Sequence, residues 1–305
     1  RSEDIDKFPD ELECLELHTL VLERSYFSTN IPDAFFNKIR ELKVLDLSNI
    51  FIRSLPSSLT NLSNLRILCL RGCELSDISI LKDLENLEML SLGGSNIKKL
   101  APEIRYLTRL RLLDLKNCYN LKVIPPNVIS SLYRLEELYI PRNFDQWEVE
   151  ATNNKRSAVT VVELNSLTHL ISLEIHIPKH VTFLPKEIPF EKLTRFKISV
   201  GSSLEYDEDY SLTRVLKLAG ILLKDEFKDL LERTEVLYLN QLKGLEKSLH
   251  SRYRGEFLGL KILEVKDCDG IEYLFSPSIA RGLVQLRQLK ISRCKMMEEI
   301  IGNDQ

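Results

Sequence analysis

The sequence predicts an α/β solenoid built on a parallel sheet, and three observations carry that prediction. First, the phrase L-x-x-L-x-L recurs in four consecutive copies: Leu42-x-x-Leu45-x-Leu47, Leu65-x-x-Leu68-x-Leu70, Leu87-x-x-Leu90-x-Leu92 and Leu110-x-x-Leu113-x-Leu115. Second, the middle leucine position can be tracked along the chain as Leu20, Leu45, Leu68, Leu90, Leu113, Leu138, Leu173, Phe196, Leu216, Leu237, Leu263 and Leu289, in steps of 20 to 26 residues apart from one of 35. Third, Leu-Pro segments such as Leu55-Pro56-x-x-Leu59-x-x-Leu62 and Leu184-Pro185-x-x-Ile188 punctuate the intervals. A fixed period in this range decides architecture before local propensity does.

The phrase is the leucine-rich-repeat signature. The expected fold is therefore a leucine-rich-repeat solenoid, a curved horseshoe with a parallel β-sheet on the concave face and short helices and loops on the convex face. About twelve repeats account for residues 1–305 as one domain, with an insertion near 141–163 and irregular repeats near 201–235. A solenoid buries its core between neighbouring coils, so 305 residues need no central core and no second domain. Phe8-Pro9-x-x-Leu12 resembles the back half of a repeat, and Met297-Glu298-Glu299-Ile300-Ile301 stops in mid-repeat. The chain is accordingly expected to be a fragment of a longer protein.

Within one repeat, Leu110 to Arg134, the stretch LRLLDL reads as a short strand with Leu113 and Leu115 inward and Leu112, Asp114 and Lys116 outward. Cys118 marks the turn, at a position whose side chain must satisfy buried loop backbone. Leu121 and Ile124 return to the core, and Pro125-Pro126 end the ladder. Val128, Ile129 and Leu132 then read as a helical turn. The 35-residue step carries Phe144 and the single tryptophan, Trp147; such an insertion can carry binding function, but the favoured reading packs both aromatics on the convex side beside a mobile polar tip at Asn153–Arg156. Further on, Leu204–Tyr210 is an acidic loop and Lys224–Arg233 an amphipathic helix.

Composition narrows the function. A net charge of −3 and a pI near 6.1 argue against a general nucleic-acid or anionic-membrane binder. Charge is uneven, with six Lys/Arg and eleven Asp/Glu in residues 1–50 but seven and four in residues 151–200. No apolar run reaches the roughly 18 residues of a membrane span. Cys73, Cys118, Cys268 and Cys294 fall at the turn position of separate coils, without C-x-x-C pairs, so they read as small core residues rather than metal ligands or disulfides. Cys69 faces out from a strand, and unpaired thiols of this kind suit a reducing compartment, the cytoplasm. His176-x-x-x-His180 has metal-like spacing but is interrupted by Pro178, and G-x-S-x-G and G-x-x-x-x-G-K-[ST] are absent. No enzyme activity, catalytic residue, metal or bound cofactor is expected of this segment.

Binding surfaces are the better search. The outward residue before each core leucine is Val44, Ile67, Met89 and Leu112 in four consecutive coils. With strands about 5 Å apart these form one apolar lane. Beside it run Asp46, Cys69, Ser91 and Asp114, then Ser48, Arg71, Gly93 and Lys116. Two readings are open: an interaction stripe with a polar rim, or aliphatics that merely strengthen cross-strand packing. Tyr139, Lys197, Lys217, Tyr238 and Lys290, with Glu174 and Glu264, make the later coils more aromatic and basic, a second candidate contact region.

Ile31-Pro-Asp-Ala-Phe-Phe36, Glu41-Leu-Lys-Val-Leu-Asp-Leu-Ser48, Leu121-Lys-Val-Ile-Pro-Pro-Asn-Val128, Arg134-Leu-Glu-Glu-Leu-Tyr139 and Cys294-Lys-Met-Met-Glu-Glu-Ile300 together resemble the repeat region of plant disease resistance proteins of the coiled-coil, nucleotide-binding, leucine-rich-repeat class. The resemblance covers nearly the whole chain, including Gln146-Trp-Glu-Val-Glu150. It implies an intracellular receptor that detects pathogen effectors or modified host proteins. It also implies an upstream domain exchanging ADP for ATP, which the repeats contact and restrain. Extracellular plant repeats typically carry G-x-I-P, absent here, and many glycosylation sequons, of which only Asn61-Leu-Ser63 is found. The repeats of F-box ubiquitin ligases, another possible parent, usually lack the Leu-Pro phrase.

Overall fold

A computed structural model describes residues 8–22, 31–148, 158–181, 190–202, 213–223, 227–245, 248–249 and 257–302. Its contacts divide the chain into two compact units, Arg1–Ile171 and Ser172–Gln305. The expected acidic loop at 204–210, the polar tip at 153–156 and the Leu184-Pro185 segment lie outside the described residues. No helix among the described residues is long and apolar enough to cross a membrane.

The first unit is a ladder of three-residue parallel strands: β1 (Thr19–Val21), β2 (Val44–Asp46), β3 (Ile67–Cys69), β4 (Met89–Ser91), β5 (Leu112–Asp114) and, after α1 (Val128–Ser131), β6 (Glu137–Tyr139). Each pairs with the next, and the tracked leucines stand opposite one another: Leu20↔Leu45, Leu45↔Leu68, Leu68↔Leu90, Leu90↔Leu113 and Leu113↔Leu138. The inward leucines from Leu42 to Leu115 are completely buried. Removing one such side chain from water stabilises by about 1.5–3 kcal/mol, so five or six per coil supply the cohesion that a strand of three residues cannot.

The return paths are short 3-10 helices at Ser57–Asn61, Ser79–Asp83, Pro102–Tyr106 and Val161–Ser166. Proline sets two of them off. Pro56 is the extended residue before the first, and Pro102 opens the third, where its missing N–H is not needed. The anticipated helical turn after Pro125-Pro126 is α1, with Val128 and Ile129 buried. Its exposed N-terminal donors are met from the next coil, where buried Glu163 accepts from the amides of Asn127 (2.9 Å) and Ser130 (3.2 Å). Phe144 and Trp147 of the long step are both buried, edge to face at 5.5 Å.

One device recurs where each strand turns outward. Asn49, Gly72, Gly94 and Asn117 follow the second inward leucine by two residues and adopt positive φ of 61°, 69°, 71° and 58°. Asparagine and glycine suit that conformation. The next residue then faces inward, where Cys73, Ser95 and Cys118 donate to the carbonyls of Leu47 (3.3 Å), Leu70 (2.6 Å) and Leu92 (3.0 Å) in the preceding coil. Burial pushes the thiols of Cys73 and Cys118 up to about 12, so at neutral pH both keep the proton that they donate.

The second unit has longer strands: β7 (Ser172–Pro178), β8 (Arg195–Gly201), β9 (Arg214–Ala219), β10 (Val236–Asn240), β11 (Ile262–Lys266) and β13 (Gln288–Ser292), all parallel. A small pair, β12 (Tyr273–Phe275) and β14 (Glu299–Ile301), completes it. The helices α2 (Lys228–Arg233) and α3 (Pro277–Gly282) pack Leu230, Leu231 and Ile279 inward. The expected helix over 224–233 is thus seen from Lys228, and residues 224–226 lie outside the described residues.

The register of β8 on β9 departs from the tracked leucine positions. Phe196 stands opposite Arg214, and Ile198 opposite Leu216, so the two strands are offset by two residues from the expected alignment. A two-residue slip keeps every inward side chain inward, because side chains alternate with a period of two. The buried pairs Ile198↔Leu216 and Val200↔Leu218 exploit this freedom. Gly201, at φ 100°, allows the close approach: a Cβ there would meet the carbonyl oxygen of Ala219 at 1.8 Å.

Candidate interaction surface

On the open face of the first sheet, strand pairing turns the outward residues into straight rows. The apolar lane is real: Val44↔Ile67, Ile67↔Met89 and Met89↔Leu112 are Cα partners, and all four side chains are half-buried. Thr19 extends the row on one side and Glu137 on the other. These aliphatics have cross-strand neighbours along the row and water above. They are therefore placed both to strengthen pairing and to meet a partner.

The flanking rows differ in chemistry. On the side of the strand N-termini, Lys43, Arg66, Glu88, Arg111 and Glu136 follow one another, each backbone N–H bonded to the preceding coil. Arg66 reaches Glu88 at 3.0 Å, and Arg111 forms two parallel bonds of 2.8 Å to Glu136. The Glu136 carboxyl is held below the usual range by the Arg111 hydrogen bonds, and the Arg111 guanidinium is raised in return. Both ions are largely solvated, so these pairs order the row more than they stabilise it.

The other flanking row is Asp46, Cys69, Ser91, Asp114 and Tyr139. Asp114 was expected as a contact residue, but it is only 9% exposed. Its carboxylate accepts from Ser91 Oγ at 2.9 Å and from the amide of Lys116 at 3.0 Å. Asp46 likewise accepts from the amide of Ser48 at 2.9 Å. An aspartate two residues before an amide that has left the strand ladder closes the turn locally, the reason such residues favour turns. Asp114 is thus a brace, and Asp46 combines that role with partial exposure. Cys69 sits half-buried between Asp46 and Ser91, its thiol raised by burial and then by the neighbouring carboxylates.

Tyr139 ends this row in the first unit. Its hydroxyl donates to Glu137, and the Lys116 ammonium lies 3.7 Å from its ring centroid, a cation–π contact. The sequence grouped Tyr139 with Lys197, Tyr238 and Lys290, yet those three belong to the second unit.

In the second unit the straight row is His176, Ser199, Lys217, Tyr238, Glu264 and Lys290. Lys197 is not in it: the register slip places it between Glu174 and Val215. His176 contacts Ser199 at 3.3 Å, Lys217 lies 5.3 Å from the Tyr238 ring, and Lys290 pairs with Glu264 at 3.1 Å. Lys217 and Glu264 are nearly buried. Along the row the polar groups meet in pairs, with Tyr238 half-buried and Lys290 exposed at its outer end. His176 was missed because the repeat step was tracked at Phe196 rather than at Ile198.

Beneath the strand N-termini of this unit, Glu235 is buried and fully engaged. It takes Lys261 at 2.5 Å, Arg214 at 3.4 Å, and the amides of Thr213 and Arg214 at 3.2 and 3.3 Å. Burial alone would raise its pKa. The Lys261, Thr213 and Arg214 bonds outweigh it and hold the carboxyl at about 2.

Comparison with known proteins agrees with this geometry. The family model for plant disease resistance protein RPS2-like leucine-rich repeats matches residues 150–295, and one for the repeats of leucine-rich repeat and WD repeat-containing protein 1 matches residues 10–119. Disease resistance protein At4g27190 of Arabidopsis thaliana is 31% identical over 271 residues, 86% of this chain and 27% of that protein. Disease resistance protein RPP2A of the same plant is 36% identical over 125 residues, 40% of this chain and 9% of that protein. The chain therefore spans about a quarter or less of these relatives. Among solved structures, the functional domain of InlJ from Listeria monocytogenes aligns with a TM-score of 0.59 at 14% identity, covering 94% of this chain and 51% of that one. The Arabidopsis receptor kinase HAESA aligns at 0.56 and 19% identity, covering 94% and 43%. The structural likeness shows the fold, and the sequence likeness narrows the kind. Together they make this chain a leucine-rich-repeat array similar to the repeats of plant disease resistance proteins.

Proposed function

We propose that this chain is the recognition and autoregulatory region of an intracellular plant immune receptor. It binds a pathogen effector or a modified host protein, and it restrains an upstream domain that switches between ADP and ATP. The nucleotide would be held by that domain, not by these repeats. The observation that carries the reading is the in-register lane of Val44, Ile67, Met89 and Leu112. It is a half-exposed aliphatic stripe between an ordered ion-pair row and a polar row. A stripe with that rim fits a protein surface better than a small molecule.

Two contacts compete in this scheme. The lane in the first unit holds the resting receptor closed, and two residues of the second unit, Tyr238 and Lys290, read the partner. Binding shifts the switch only if the partner prefers the open state. Ile67→Asp places a charge in the middle of the lane without touching the buried leucines. In the full-length receptor it is expected to produce signalling without a partner. Resting behaviour identical to that of the unmodified receptor would remove the lane from the restraint.

A further inference from the structure

The coils of the first unit carry very different charge at the two edges of the sheet. At the edge where the strands begin, segments 57–66, 79–88, 102–111 and 128–137 hold six Lys/Arg and six Asp/Glu. At the edge where the strands end, segments 48–56, 71–78, 93–101 and 116–127 hold six Lys/Arg and two Asp/Glu. The six cations are Arg53, Arg71, Lys98, Lys99, Lys116 and Lys122, and all but the half-buried Lys116 are exposed.

The fold also stacks these cations. Arg53, Ser76, Lys98 and Lys122 each follow an inward residue, Ile52, Leu75, Ile97 and Leu121, and so occupy one row. The Ser76 amide donates to the Arg53 carbonyl and the Lys122 amide to the Lys98 carbonyl, which sets Lys98 and Lys122 in adjacent coils. Lys99 forms a parallel bridge with Val123 beside them. Among the described residues no carboxylate pairs with Lys98, Lys99 or Lys122. One of the two acids on this edge, Asp77, is occupied by the amide and hydroxyl of Ser79 at 2.8 Å each. Like charges on neighbouring strands oppose folding. On the opposite edge of the same coils the charges are paired in the Arg66–Glu88 and Arg111–Glu136 bridges, so the fold has the means to neutralise cations and does not use it here.

Exposed aromatics accompany the cations. Phe51 is 44% exposed beneath the Arg53 guanidinium, and Tyr119 is 65% exposed in the segment of Lys116 and Lys122. Arginine, tyrosine and phenylalanine are enriched at protein interfaces. The apolar lane lies on the same sheet, and the chain as a whole is acidic. Those two facts favour a protein partner over nucleic acid.

We propose that the C-terminal edge of the first sheet, centred on Lys98, Lys99 and Lys122, docks an acidic, partly apolar segment of a protein partner alongside the aliphatic lane. This rests on the reading of the chain as a recognition region and names the chemistry of what it recognises. The test measures fluorescence anisotropy of a labelled peptide of alternating glutamate and leucine with the 305-residue chain. A peptide of alternating lysine and leucine and a single-stranded oligothymidylate serve as controls. The acidic peptide is expected to bind, and to weaken as salt shortens the screening length below about 8 Å. Combined K98E, K99E and K122E substitutions are expected to lower its affinity about tenfold or more, since three exposed ion pairs of up to about 1 kcal/mol each become repulsions. Reversing Arg105 and Arg109 on the balanced edge should leave affinity unchanged, which separates the rim from net charge. Circular dichroism checks that every variant is folded. Undiminished affinity in the triple variant overturns the proposal. So does tighter binding of oligothymidylate than of the acidic peptide. The readout is binding by this chain, whereas Ile67→Asp reads signalling by the complete receptor, so either idea can fail alone.

Discussion

Replacing Glu235 by glutamine isolates the electrostatics of a single buried carboxylate. The amide keeps the size of the side chain and one acceptor for the Thr213 and Arg214 amides, but it leaves Lys261 and Arg214 without their counter-charge. The native carboxyl sits at about 2 against an ordinary 4.5. A group depressed in the folded state contributes stability above its unfolded pKa and loses it as pH falls through the folded one. The difference of about 2.5 units corresponds to about 3 kcal/mol at pH 7, about 1 kcal/mol at pH 3 and under about 0.5 kcal/mol at pH 2. The gap between native protein and Glu235→Gln should therefore be largest at neutral pH and close between pH 4.5 and 2. Trp147 lies in the first unit and would not report on this site. Amide exchange of β9, β10 and β11 localises the loss instead, which matters because repeat arrays need not unfold as one unit. Equal protection at pH 7, or a gap that does not shrink with acid, would refute the assignment.

Two further substitutions probe the backbone devices. Cys118→Val retains bulk but removes the thiol's bond to the Leu92 carbonyl, which keeps the Ser95 amide at 2.9 Å, and should cost about 0.5–1.5 kcal/mol by chemical denaturation; Cys118→Ser, which copies Ser95, should cost clearly less. Gly201→Ala must move a Cβ that would stand 1.8 Å from the Ala219 carbonyl oxygen, so it should abolish exchange protection across β8 and β9 while leaving the first unit's tryptophan fluorescence unchanged.

Much of the fold was legible because the core has one strict rule. Leucine at two inward positions per strand fixes the face, and the spacing between copies fixes the coil. The same periodicity let the aliphatic lane be read from Val44 to Leu112, since strands of constant length repeat without offset. Lys197 shows where that logic fails. Once strands lengthen to six or seven residues, alternation alone cannot distinguish registers two residues apart, and the observed one is compatible only with a residue lacking Cβ at Gly201. Asp114 shows a different failure. Its outward position was read correctly, but no sequence pattern tells whether a carboxylate there faces a partner or turns back onto Ser91 and the Lys116 amide. Of the cation rim only Arg71 and Lys116 were legible beside the lane; Arg53, the Lys98-Lys99 pair and Lys122 belong to separate coils, and stacking brings Lys98 and Lys122 into neighbouring positions.

The turn-position donors carry one more consequence. Cys73, Ser95 and Cys118 each point to a carbonyl 25 or 26 residues earlier in the chain. In these three coils the bond runs backward, toward the coil already made. During synthesis from the N-terminus, each new coil therefore brings its thiol or hydroxyl to an acceptor that is in place before the donor exists. Growth in that direction leaves no buried donor waiting, whereas assembly from the other end would strand one at every step. The side chains at this single position give these coils of the first unit an arrow of construction.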